Sequence, residues 1–289
     1  MNEATRWRFA LAEQIGAAYA SNDNAEVIMV AGSVGRGSAD RYSDVEVDVY
    51  YAEPPTDAER IAAVERCGGT VELLAQDESE WEEQMSIGGF HAHTSTFLVA
   101  TMERYLREVV DQCSVAPEAQ TRLFSLQHGV TLKGEDHVER WRAKAGAYPE
   151  RLQHAMLDDN LRFGRFAHAA EMLAARDDLL ALYEIFVEVG RHVLAALLAL
   201  NRIYMPAPGY LKSMEETIGL MTIKPADLSV RLKRPFRIEP IAAVGELEAL
   251  IGETYTLVET HVPAFDTAPY RAEVAGGRAA YDASPARPA

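Results

Sequence analysis

The chain has 289 residues, enough for two modest domains, and its 48% hydrophobic and 25% charged residues are ordinary globular composition. Forty-four acidic against 28 basic residues leave a formal charge of −16. That balance repels phosphate backbones and, with no Lys/Arg-rich run, excludes a polynucleotide as the expected partner. Two cysteines, Cys67 and Cys113, are too few for a disulfide framework or a zinc site, and both read as reduced, half-buried thiols. The N-terminus lacks the apolar run of a signal peptide, and the most apolar stretch, Val193 to Leu200, is too short to span a bilayer. The expectation is a cytoplasmic protein without membrane association.

Taken in chain order, apolar residues at helical spacing (Trp7, Leu11, Ile15, Ala18) predict a helix over Glu3 to Tyr19. Glu26 to Ala31 is a short β-rich run that ends at Gly32-Ser33. Asp44 to Tyr51 (DVEVDVYY) alternates strictly, which predicts a strand with one apolar and one acidic face. Thr56 and Glu59 form a capping-box pattern opening a helix to about Arg66, closed by Gly68-Gly69. Thr70 to Ala75 reads as a third strand, the region around Trp81 as an acidic helical turn, and His91 to Val99 as a fourth strand. A helix follows to about Val110.

After Cys113 helical periodicity takes over: Glu118 to Gln127, Pro149 to Ala175, Asp177 to Asn201 and Gly245 to His261. Arg202 to Pro208 reads as a loop and Tyr210 to Leu220 as a shorter helix. Pro225 to Pro240 carries no clear pattern. The tail from Asp266 is rich in Ala, Gly, Pro and Arg and is expected to fray.

One segment carries chemistry: Ala31 to Tyr50, AGSVGRGSADRYSDVEVDVY. Gly32 lets backbone N–H groups approach a phosphate, Ser33 adds a hydroxyl, and the start of the following turn adds partial positive charge. After a ten-residue spacer, Asp44-Val45-Glu46 sets two carboxylates on one strand face, about 6.6 Å apart along it. Such a pair is the usual means of holding Mg²⁺ ions, spaced roughly 3.5–4 Å, on a nucleoside triphosphate.

Gly-Ser, about ten residues, then acid–apolar–acid resembles the signature of the DNA polymerase β-like nucleotidyltransferases. Arg36-Gly37 and Ser43-Asp44 are similar to the minimal and antibiotic-modifying branch, which includes aminoglycoside and lincosamide nucleotidyltransferases. The resemblance covers residues 25 to 110 and is only general beyond. It implies an α+β fold: an N-terminal nucleotidyltransferase domain (1–115, a small mixed sheet with flanking helices), then a C-terminal helical bundle for the acceptor (116–265) and a flexible tail (266–289). The cleft would lie between the domains. It further implies Asp44 and Glu46 as metal ligands for Mg²⁺, with Gly32, Ser33, Arg36 and Ser43 at the phosphates of an NTP co-substrate. An acceptor hydroxyl would attack the α-phosphate and expel pyrophosphate.

The chain departs from that pattern in two places. The second acid is Glu46 where Asp is commoner. The later strand that usually brings a third acid carries none; His93 or Ser95 falls near its place. A histidine titrates near neutral pH and can take a proton, but it is an indifferent Mg²⁺ ligand. Asp48 is too far along the strand from Asp44 to share one metal pair and reads as a solvated or salt-bridged acid. Glu72 is a weaker candidate for the missing carboxylate.

In the helical half, Asn201 to Pro206 and Lys212 are similar to loops that face the nucleotide in related enzymes, and Lys212 would reach the triphosphate. Asp158, Asp159 and Asn160 are candidates for an acceptor pocket, with an exposed helix face as the alternative. Tyr183, Phe186 and Leu194 read as core, and the spacing of Arg162 and His168 as coincidence. The expected function is Mg²⁺-dependent transfer of a nucleoside monophosphate to a hydroxyl of a small acceptor, antibiotics among the candidates. The alternatives are an enzyme that adds AMP to a protein, or a catalytically degenerate nucleotide-binding regulator. Oligomeric state, acceptor and base preference are not legible.

Overall fold

A computed structural model describes residues 1–77, 80–206 and 211–276. The chain divides into two compact units, Met1–Pro149 and Glu150–Ala289. Among the described residues no helix is long and apolar enough to cross a membrane.

The first unit opens with α1 (Glu3–Ala20), whose first turn is capped by Asn2 accepting from the Thr5 N–H at 2.7 Å. The chain continues through β1 (Ala25–Val30), the one-turn α2 (Gly32–Gly35), β2 (Val45–Tyr51), α3 (Asp57–Arg66), β3 (Thr70–Gln76), β4 (Glu80–Ile87) and β5 (Phe90–Leu98). Then come α4 (Val99–Leu106), a π-helical turn to Asp111, α5 (Pro117–His128), β6 (Val130–Lys133) and α6 (Glu135–Ala145). The six strands form one sheet in the order β3-β4-β5-β2-β1-β6. Only β2 and β5, at its centre, run parallel; every other pair is antiparallel. The first unit is therefore a mixed sheet with helices, the α+β architecture expected.

Because side chains alternate along a strand, each sheet face has its own character. On one face Ile28, Val30, Val45, Val47, Val49 and Ala92 are buried with Ala12, Ile15 and Tyr19 of α1 and Val64 of α3. This is the apolar half of DVEVDVYY, and it is the core. The opposite face carries Glu46, Asp48 and Tyr50, and α5 and α6 approach it: Tyr50 and Trp141 rings meet at 5.3 Å, and Ser125 donates to Asp48 at 3.2 Å.

The region around Trp81 is a strand, not the helical turn expected. Trp81, Glu83 and Met85 alternate into the core, but the carboxylate at Glu83 disguises the pattern. Glu83 is fully buried and is held by Arg60 of α3, Tyr19 at 3.1 Å, Thr94, and Thr96 at 3.1 Å. Arg60, itself 1% exposed, also donates to the Ala75 and Glu82 carbonyls. A charged pair thus occupies a core position, and its hydrogen bonds are what make that tolerable. The short β6 lies between two expected helices, where no element was assigned, and was hidden for another reason: its four residues pair only at the sheet edge.

The second unit is helical throughout its described residues: α7 (Glu150–Asn160), α8 (Phe166–Ala175), α9 (Leu179–Leu200), α10 (Met214–Leu220), α11 (Leu228–Lys233), α12 (Pro240–His261) and α13 (Ala268–Ala275). Val193 to Leu200 is buried on all sides, which explains its continuous apolarity. The helix expected over Pro149 to Ala175 is broken between α7 and α8, where Gly164 adopts φ +56°. In the stretch without pattern, α11 runs into a 3₁₀ turn at Arg234–Phe236, and α12 starts five residues earlier than expected, with Pro240 in its first turn and Glu239 as cap. Where it is described, the tail forms a short helix. Its helix α13 is tied back by Arg271 to Glu259 and by Tyr270 to Asp158. Residues 277–289, and Ala207 to Tyr210 of the expected loop and helix, lie outside the described residues.

Replacing Glu83 by Ala strands the Arg60 guanidinium in the core. The expected loss of stability is about 3–5 kcal/mol, the range for breaking a buried pair from one side. Urea unfolding measures it, and a change below about 1 kcal/mol would show that the pair does not hold the sheet to α3.

Candidate active site

β1 ends at Val30 and the chain turns at Ala31 into α2. Gly32 is the first residue of that turn, with φ +58°. Any Cβ there would occupy the space of the Glu46 carboxylate, which lies directly against Gly32. Gly35 allows a second close approach, since a side chain would strike the Val30 carbonyl. The glycines therefore let the turn close down over the start of β2. Gly32, Ser33 and Val34 lead α2, so their N–H groups have no acceptor within the helix.

Asp44 immediately precedes β2, Glu46 lies on it, and His93 sits directly opposite Glu46 in the parallel ladder with β5. Their side chains meet. His93 Nδ1 is 3.7 Å from Asp44 Oδ2, and its Nε2 is 3.6 Å from Glu46 Oε1. One ligand atom from each residue lies within 4.8 Å of the other two, the dimension of a site for one metal ion. Those separations exceed a hydrogen bond, and none of the three side chains makes one among the described residues. Asp44 is about half exposed, Glu46 a third and His93 a quarter, so the site is open on one side. The residues present therefore fit a divalent cation.

The loop before Asp44 is held from α1. Asn2 donates to the Ala39 carbonyl at 3.0 Å, and the buried Arg8 donates through Nε to the Ser43 carbonyl at 2.8 Å. Ser43 exchanges hydrogen bonds with Asp40, 3.0 Å from the Asp40 N–H and 3.1 Å to its carboxylate, so its hydroxyl stabilises the turn. Arg8 escaped sequence reasoning because nothing distinguishes it from the other basic residues of α1. Its one signal is its place on the inward face of an amphipathic helix.

Asp48 is not solvated. It is 3% exposed and lies 3.2 Å from Ser125 Oγ and 3.9 Å from Arg122. Burial pushes its carboxyl up to about 6, against the opposing pull of Arg122. Arg122 also lies 3.7 Å from Glu80 and stacks on Phe97, so it joins α5 to the acidic face of the sheet. Glu72 pairs with His91 at 2.8 Å and takes no part in the cluster.

The second unit scatters the residues singled out there. Asn201 clamps the Thr222–Ile223 turn, accepting from both N–H groups at 2.8 and 2.9 Å and donating to the Ile223 carbonyl at 2.8 Å. Asn160 is buried and bonds its own helix, whereas Asp158 faces outward to Arg162 and Tyr270. Lys212 is exposed ahead of α10. A pocket of about 320 Å³ in this unit is lined mainly by Phe186, Leu211, Met214, Leu232 and Phe236, with Lys233 and Arg237 as its basic members.

This geometry defines a mixed-sheet protein with a paired-acid and histidine site at a glycine turn. Against known proteins, residues 118–211 match a family model described as a domain of unknown function, DUF4037. That match covers α5 to α9 and excludes Asp44, Glu46 and His93. Among solved structures, the chain is similar to a nucleotidyltransferase-like protein from Exiguobacterium sibiricum 255-15. Identity is 13% over 90% of this chain and 77% of that one, with a TM-score of 0.36. No curated protein matches. A likeness that shallow says nothing of this chain's chemistry.

Gly32→Ala tests the close approach. Left-handed backbone at a non-glycine residue costs about 1–2 kcal/mol, and the collision adds to it. Urea unfolding should show the loss, and metal titration should show weakened binding as Glu46 is displaced. A variant with unchanged stability and binding would mean that the turn does not press on Glu46.

Proposed function

We propose that this protein is a metal-dependent nucleotidyltransferase that moves a nucleoside monophosphate from an NTP to a hydroxyl of a small acceptor. The observation that supports it is the convergence of Asp44, Glu46 and His93 beside the Gly32 turn. Asp44 and Glu46 would hold the cation, for which Mg²⁺ is the ion the family resemblance implies. When bound, a cation there neutralises phosphate charge and favours departure of pyrophosphate.

The chain's own residues supply the rest. Gly32 and Ser33 present backbone N–H groups, and Ser33 a hydroxyl, on the side where an anion is welcome. Arg36 closes the same turn and adds positive charge. In the reaction the acceptor oxygen bonds the α-phosphorus, the bond from that phosphorus to the bridging oxygen breaks, and the hydroxyl proton is lost. Catalysis in this class comes chiefly from positioning and charge neutralisation.

A net charge of −16 suits a cationic acceptor, so aminoglycosides come first among candidates, with lincosamides next. An imidazole where a third acid is expected also favours a second reading: a nucleotide-binding regulator with little turnover.

Pyrophosphate release from each NTP, with Mg²⁺ or Mn²⁺ and a pooled acceptor panel, tests this. Acceptor-dependent release is expected, reduced about 10²–10³-fold or more in Asp44→Ala, the scale of losing one preorganised electrostatic group. Binding of NTP without release would move the assignment to the regulatory or protein-modifying reading. Neither binding nor release would remove nucleotide chemistry altogether.

A further inference from the structure

We propose that Asp44, Glu46 and His93 form a two-carboxylate, one-imidazole site that selects Mn²⁺ over Mg²⁺, with His93 a metal ligand and not the proton acceptor. This rests on the metal-binding half of the reading above and is independent of nucleotidyl transfer.

The geometry comes first. Bonds of about 2.0–2.2 Å to a small dication put its donor atoms roughly 3–4.4 Å apart. The three donor atoms here lie within 4.8 Å of one another, so modest side-chain rotation closes the set. Both ring nitrogens of His93 face carboxylates of the cluster, Nδ1 towards Asp44 and Nε2 towards Glu46. A proton acceptor needs a nitrogen turned to the reacting hydroxyl. A ligand needs one nitrogen near both acids, and one ligand atom of His93 lies within 4.8 Å of an oxygen of each.

Position is equally constrained. His93 is held opposite Glu46 by the register of the two central strands, flanked by the buried Ala92 and Thr94. It is three-quarters covered, whereas His91, two residues back, is exposed and already engaged by Glu72. The imidazole is therefore pinned at the acid pair.

Donor chemistry then decides the ion. Mg²⁺ takes oxygen ligands and gives up its waters reluctantly, whereas imidazole favours first-row transition ions. Among those, an oxygen-rich set on a half-open surface suits Mn²⁺, which keeps free positions for waters or phosphate oxygens. Closed structural Zn²⁺ sites are built instead from Cys and His donors.

The full-length, metal-free chain is titrated with MnCl₂, following free Mn²⁺ by electron paramagnetic resonance, with MgCl₂ as competitor. Electron spin-echo spectra of the bound ion provide a separate signature. One Mn²⁺ should bind, its echo should carry the nitrogen modulation of a coordinated imidazole, and Asp44→Ala should abolish binding. His93→Asp should keep the ion, lose the modulation, and reduce the Mn²⁺/Mg²⁺ preference about tenfold or more. Bound Mn²⁺ without nitrogen modulation overturns the inference, as does an unchanged preference in His93→Asp or no binding at all. Should that variant not fold, the wild-type echo decides. Pyrophosphate release measured on the same samples separates the two readings. Modulation without release keeps this inference and sinks nucleotidyl transfer; release without modulation does the reverse.

Discussion

The parallel pairing of β2 with β5 is the constraint on which the first unit depends. A strand's side chains repeat every two residues, so the register that sets Glu46 opposite His93 also sets Asp48 opposite Ser95 and Tyr50 opposite Phe97. A slip of one residue would turn the valines of β2 towards α5 and α6 and drive its acids into the apolar core under α1. Core packing and site geometry are thus specified by one ladder. The site is as stable as the sheet because it is made by the same hydrogen bonds.

Polar groups buried on both faces secure that ladder from outside. On the core face the Arg60–Glu83 pair ties α3 to β4 and draws in Tyr19 of α1 and two threonines of β5. On the other face Asp48 and Arg122 tie β2 to α5, with Ser125 completing the contact. Neither pair is an efficient source of stability, since desolvation cancels much of the attraction. Each does fix which helix lies on which strand, because misplacing it would leave a buried charge alone. At the mouth of the site, Arg8 has the same role for the loop leading to Asp44.

What was legible in the sequence is what local periodicity and chemistry encode. DVEVDVYY announced a two-faced strand, Thr56 and Glu59 form the capping box, and Gly32 marked a close approach of the backbone, whose left-handed φ the structure adds. β4 was misread because Glu83 stands at a core position, made acceptable by partners distant in sequence, Arg60 and Tyr19 together with Thr94 and Thr96. The break at Gly164 and the early start of α12 at Pro240 are each set by one residue, too little to register in a periodic pattern. For Asp48 the salt-bridged alternative is the one realised, but its burial and the identity of its partners were out of reach. Nothing within β2 reveals that α5, some seventy residues later, will cover it with Arg122 and Ser125. His93 is an intermediate case: the resemblance puts it near the place of the third acid, while its pairing opposite Glu46 belongs to the register.

The contact between Gly32 and Glu46 also limits how this sequence can vary. The space a methyl group would need at position 32 is filled by the end of the longer of the two acidic side chains. An aspartate at 46 is one methylene shorter, so an alanine at 32 would meet less of the side chain, although the γ-carbon position still lies 3.3 Å from the added Cβ. The two positions are therefore not independent: the replacements acceptable at one depend on the residue at the other. Relatives that drift at this turn should change both together, and a substitution at 32 alone costs more in the present background than beside a shorter acid.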